Sequence, residues 1–173
     1  MSDPKKIMAM LFLKAAPQDL SFKPSLAVRL AFFYWFSGVL VLSSTLQPSD
    51  VMASMLLSLV ILGGFVFGVL RVFNRQARFI QTFSAVVGVS ILFNFLSWPI
   101  LMILSGDDGS ADETMVPALS FIFLMMISWE VLVKAHIFKH ALEIAMVNAL
   151  LLSFALFFIS MTLSQLLFPG DVS

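Results

Sequence analysis

The residues able to do chemistry gather in one short stretch, Trp129–Glu143, which reads WEVLVKAHIFKHALE. His136, His140 and Glu143 stand at i, i+4 and i+7, so a continuous helix points all three from one face. Two imidazoles four apart, with a carboxylate as third ligand, are the donor set of a transition-metal site. The competing account is a charged helical turn at a membrane surface, whose histidines meet headgroups or neighbouring helices. The glutamate that follows the first histidine in zinc-hydrolase motifs is missing. Glu130 and Lys134 form an i, i+4 pair in the favourable acid-first order. Glu130 is the most exposed to question, because an ionisable group inside a membrane needs a partner and marks functional positions. Lys134, an arginine from Arg71, Arg75 and Arg78, or water would serve.

Amides and hydroxyls within apolar runs make up the second group. Gln81, Thr82, Ser84, Asn94, Asn148 and Ser153 either hydrogen-bond between helices or line a polar path. Small residues recur four apart at Gly64 and Gly68, and at Ser84 and Gly88, a spacing that lets helix backbones approach closely.

These groups sit in a chain that is mostly apolar. Of 173 residues, 60% are hydrophobic and 12% charged, about half the charge of an ordinary soluble domain, so much of the surface must face lipid. There is no cysteine, which excludes disulfides, thiolate metal sites and a cysteine nucleophile. No phosphate-binding glycine loop, serine-hydrolase elbow or paired acidic metal site appears, and the expectation is a protein without catalytic activity. The basic residues are scattered over membrane-proximal segments, which suits lipid headgroups and not nucleic acid. No small-molecule substrate is identified.

A helix needs roughly 20 apolar residues to cross the bilayer, and five segments qualify: about 27–46, 51–73, 79–104, 115–133 and 141–168. The fold class expected is therefore all-α, a polytopic membrane bundle of five transmembrane helices. Open sheet edges cannot be satisfied in lipid. Pro99 predicts a kink or a break in the third span. Residues 1–25 form a lead whose Ile7–Leu13 run, flanked by Lys5, Lys6 and Lys14, reads as a short interfacial helix or as a flexible basic tail. That run is too short for a secretory signal. Residues 169–173 form a tail.

All ten Lys and Arg fall on one side of this arrangement. Asp50, Asp107, Asp108, Asp112, Glu113 and Asp171 fall on the other. The positive-inside rule then predicts a cytoplasmic N-terminus and a periplasmic or exoplasmic C-terminus, most simply in a bacterial inner membrane.

The run Phe79-Ile80-Gln81-Thr82-Phe83-Ser84-Ala85, with Trp129, His136 and His140-Ala141-Leu142, resembles the bacterial branch of the Yip family of five-span membrane proteins, named for interaction with Ypt/Rab GTPases. Where eukaryotic members carry an Asp-Leu-Tyr-Gly-Pro-like element, this chain has Gln18-Asp19-Leu20-Ser21-Phe22, so a GTPase partner does not carry over. The resemblance implies a scaffold or accessory subunit. It would contact itself or another membrane protein through its helices and a cytoplasmic face of Arg71, Arg75, Arg78, Lys134 and Lys139. The rival expectation is a small transporter or channel component with Glu130, Gln81, Asn94 and the two histidines along one path. A metal-binding protein built on His136, His140 and Glu143 is the third.

Overall fold

The computed structural model of the chain describes residues 2–43, 48–104 and 115–168. Among them the regular structure is entirely helical: α1 (Asp3–Leu11), α2 (Pro24–Leu42), α3 (Pro48–Val72), α4 (Phe79–Leu104), α5 (Met115–Leu142) and α6 (Met146–Leu167), with 3₁₀ turns at Pro17–Asp19 and Gln76–Arg78. Five of these, α2 to α6, are long and apolar enough to cross a membrane. Pro24 and Pro48 stand at the start of α2 and α3, where a missing amide hydrogen costs nothing. Pro99 lies inside α4 without breaking it.

The five long helices form a ring in the order α2, α3, α6, α5, α4 and back to α2. The starts of α2, α4 and α6 share one end with the finishes of α3 and α5. The described Lys and Arg side chains cluster towards this basic end. Asp107, Asp108, Asp112, Glu113 and Asp171, expected opposite, lie outside the described residues. So do the segments 44–47, 105–114 and 169–173.

Three helices close at the basic end with a residue in the left-handed conformation: Leu13 after α1, Asn74 after α3 and Glu143 after α5, with φ of 58°, 56° and 60°. Each is followed by an amide that bonds five residues back, Lys14 to Ala9, Arg75 to Leu70 and Ile144 to Lys139. This is the Schellman arrangement that glycine usually serves. Side-chain contacts must here replace the freedom of glycine.

The main apolar core fills the half of the bundle nearer the basic end. It joins Leu62, Val66 and Leu70 to Ala85–Val87, Val89 and Phe93, then to Val133, Ala135, Ile137, Phe138, Ala141, Ala149 and Leu156. Small residues on α4, α5 and α6 let those backbones close up. Outward-facing Phe32, Phe33, Phe36, Phe67, Phe121 and Phe158 stay exposed, as lipid-facing side chains should.

Two expectations change here. The helix that carries the fourth span does not stop near Val133; α5 runs unbroken to Leu142, and α6 begins at Met146, not near Ala141. Lys134–His140 are therefore helix, not connection. The lead is not a free tail, and its short helix packs against the bundle. Residues 3–23 make a hairpin docked on α4 and α5, with Ile7, Met10, Pro17 and Leu20 buried. It enters along α1, reverses at Leu13, and returns beside α5.

Gly88 is what admits the hairpin. A Cβ there would meet Ile7 Cδ1 at 2.8 Å and Cγ2 at 3.1 Å. The small pair Gly64 and Gly68 plays no such part within the chain, since a Cβ at either meets nothing within 4 Å among the described residues. Gly88→Ala should be mild, because the tip of Ile7 can turn away. Gly88→Leu should displace α1 and cost about 1–3 kcal/mol by overpacking. Thermal unfolding in detergent, with tryptic cleavage at Lys14 as the reporter of a released hairpin, checks both.

Candidate functional site

The polar residues separate into three sets. The first lines a cavity of about 210 Å³ inside the ring, to which every long helix contributes. Tyr34 comes from α2, Ser58 from α3, Ser90 and Asn94 from α4, Glu130 and Lys134 from α5, and Ser153 and Ser160 from α6. Leu62, Val131, Leu156 and Phe157 complete the wall. A second cavity of about 200 Å³, lined by α2, α4 and α5 and mostly apolar, shares Asn94 and Glu130 with the first. Those two residues are the border between the cavities.

Glu130 is partnered on one side only. Its Oε1 receives Lys134 Nζ at 2.7 Å and Ser90 Oγ at 3.1 Å. Among the described residues Oε2 accepts no hydrogen bond. A carboxylate can accept about four, so capacity remains at the cavity wall. Asn94 donates through Nδ2 to Ser37 Oγ at 3.1 Å, which leaves its amide oxygen without a described donor. Ser153 Oγ donates to the Val131 carbonyl at 2.8 Å and ties α6 to α5. Glu130, Lys134, Ser90 and Asn94 follow from two i, i+4 pairs that place each couple one helical turn apart on one face.

The second set holds the hairpin. Gln81 Nε2 donates to the carbonyls of Gln18 and Leu20 at 3.2 and 2.8 Å. Trp129 Nε1 donates to the Leu11 carbonyl at 3.2 Å. His136 Nε2 lies 3.3 Å from the Ala15 carbonyl and must donate to it. Gln18 Nε2 in turn donates to the His140 carbonyl. Asp3 accepts from Ser21 Oγ at 2.6 Å, a bond that heads the causes holding its carboxyl below the usual range. Gln81 and the histidines thus serve the hairpin, and neither of the two cavities is lined by them.

The third set is a clamp between the connections α3–α4 and α5–α6. Arg75 Nη2 meets Glu143 Oε2 at 2.6 Å, and Arg78 Nη2 meets Oε1 at 2.6 Å. Arg78 Nη1 also donates to the Ala141 carbonyl at 2.9 Å, where the end of α5 leaves its acceptors open. This clamp supports the left-handed turn at Glu143. Arg75, Arg78 and Lys134, expected to face a partner, each have an ion-pair partner within the chain.

The clamp also decides the metal question. His136 and His140 do meet, with ring centroids 4.4 Å apart and an edge-to-face angle of 64°. Glu143 does not join them, because α5 ends at Leu142 and the reversed backbone carries its carboxylate to the two arginines. Among the described residues no three His, Cys, Asp or Glu come together as a metal site, so this donor set does not fit a three-ligand ion.

Sequence reasoning found Glu130, Lys134, Asn94 and Ser153 but passed over Tyr34, Ser58, Ser90 and Ser160. Their signal was a hydroxyl in four of the five spans, weak in each and informative only when the ring order is known. Compared with protein-family models, with curated proteins and with solved structures, the chain finds no match.

The two arginines hold the Glu143 carboxyl below the ordinary glutamate range, through the Arg78 hydrogen bond first and then both guanidinium charges, against the opposing effect of desolvation. A lowered folded-state pKa stabilises above the unfolded value and is lost as pH falls through the folded one. The melting-temperature gap between the protein and Glu143→Gln should be full above about pH 5 and close in more acid solution. A gap that does not change with pH would refute the clamp.

Proposed function

We propose that this chain is a non-enzymatic integral membrane protein that admits a small polar or cationic solute to its central cavity, as a small transporter or channel component. One observation carries the reading: five membrane-length helices surround a polar cavity at which Glu130 keeps a carboxylate oxygen that accepts no hydrogen bond among the described residues. Placing a carboxylate and an ammonium among apolar helices is costly, and a packing role alone needs no cavity beside them. Lys134 would hold Glu130 in the empty state, and an entering donor would meet Oε2. The oxygen-rich wall of hydroxyls, amide and carboxylate suits a hydrogen-bond donor. The clustering of Lys and Arg supports a cytoplasmic basic end.

The Yip-like scaffold reading remains the rival proposal. Its docking surface would rest on Arg71 and Lys139, the two members of the expected set with no ion pair among the described residues. The clamp and the Glu130–Lys134 pair take the other three.

The test separates fold from function. Glu130→Gln should leave Lys134 charged without its partner and destabilise the protein by about 3–5 kcal/mol. The double variant Glu130→Gln/Lys134→Gln should recover most of that loss. In lipid nanodiscs, sodium, potassium, ammonium and glycine are each added at millimolar concentration and unfolding is followed. At least one should raise the melting temperature of the native chain and leave the double variant unmoved. If none does, or if the double variant responds equally, the cavity is not a solute site.

A further inference from the structure

The hairpin has two faces of opposite character. Asp3, Ile7 and Met10 turn inward along α1. Lys5, Met8 and Phe12 follow at i, i+3 and i+7 on the other side, forming one outward stripe. Met8 is 49% exposed and Phe12 63%, with Lys5 exposed beside them. The returning limb adds exposed Lys14 and Lys23 and a 60% exposed Phe22. In water such a surface would be an unexplained apolar patch ringed by cations.

Its height on the bundle supplies the explanation. Helix α5 has 28 residues, about 42 Å at 1.5 Å per residue, against roughly 30 Å of hydrocarbon. About 12 Å of it therefore stands outside the hydrocarbon. Leu11 is held at Trp129, about 20 Å from the end of α5, and Ile7 at Gly88, about 14 Å from the start of α4. With that excess at the basic end, the tip of the hairpin lies about 8 Å below the hydrocarbon boundary. The return limb at Gln18–Leu20 is tied to His140 and Gln81 near the helix ends, outside. Lys5 lies towards the headgroups and Phe12 towards the acyl chains, the order that an interfacial helix adopts.

We propose that the outward face of the hairpin, Lys5, Met8, Phe12, Lys14, Phe22 and Lys23, is a binding surface for anionic phospholipid in the leaflet at the basic end. Met8 and Phe12 enter the acyl region, Phe22 lies among the headgroups with Lys5 and Lys23, and Lys14 at the tip extends its stem back up towards the phosphates. Positive charge with no acidic residue in the set selects an anionic lipid over a zwitterionic one. This inference does not depend on what the central cavity binds.

The intact chain has no native cysteine, so single nitroxide labels at Met8→Cys or Phe12→Cys report the position cleanly. In nanodiscs of phosphatidylcholine with phosphatidylglycerol, both labels should collide with oxygen and be shielded from a water-soluble nickel chelate. Fluorescence of Trp129 in a Trp35→Phe/Trp98→Phe background confirms that the hairpin stays docked. With that signal unchanged, Lys5→Gln, Lys14→Gln and Lys23→Gln should each weaken the preference for spin-labelled phosphatidylglycerol over phosphatidylcholine, by roughly fivefold per lysine. Labels open to the nickel chelate would show a water-facing surface. Labels shielded from both reagents would show another protein seated there. A lipid preference that ignores the lysines would show no headgroup site. Any of the three overturns the proposal.

Discussion

In hydrocarbon a polar group must find its partner within the protein, and the placement of nearly every polar side chain here follows from that constraint. An unpaired amide or carbonyl costs several kcal/mol in such surroundings. The five long helices satisfy their own backbones, so the burden falls on helix ends and polar side chains. At the basic end Arg78 covers the finish of α5, and Gln81 covers the carbonyls of the returning lead. Within the ring, Ser153 covers Val131 and Ser37 covers Asn94. Two buried groups have no partner among the described residues, Ser84 Oγ and Trp98 Nε1.

Hydropathy alone made the helical architecture legible, because length and apolar content decide what can cross a bilayer. The end of α5 was not legible in the same way. Lys134, His136, Lys139 and His140 look like a connection when polarity is the only guide. They continue the helix because the hairpin covers two of them and Glu130 neutralises a third. That cover arises from contacts such as Gln18 to His140 and Trp129 to Leu11, across more than a hundred residues of sequence. No local pattern encodes such a contact.

The metal motif failed for a related reason. A spacing of i, i+4, i+7 assumes one helix, whereas Glu143 is the residue at which the helix stops. Glycine usually stands at such a position, so its absence hid the turn. Glu143 can take the left-handed conformation because Arg75 and Arg78 fix its side chain. The candidate cavity was half legible: the i, i+4 couple on α5 and Asn94 on α4 were visible, but their convergence with Tyr34, Ser58, Ser90 and Ser160 depends on the ring order.

Helix α5 makes the two polar regions parts of one structure. Trp129 and Glu130 are consecutive, so their side chains leave the helix about 100° apart. One fastens the hairpin and the other borders both cavities. Lys134, one turn on from Glu130, and His136, two turns on from Trp129, repeat the division, the first towards Glu130 and the second towards Ala15. A rotation of α5 that relaxed the Glu130–Lys134 pair would swing Trp129 and His136 away from the carbonyls they hold. The hairpin resists that rotation through Ile7 seated on Gly88 of the neighbouring α4, where a side chain any larger than hydrogen would crowd it. The geometry at Glu130 is therefore set as much by the first twenty residues of the chain as by the helices that carry the cavity.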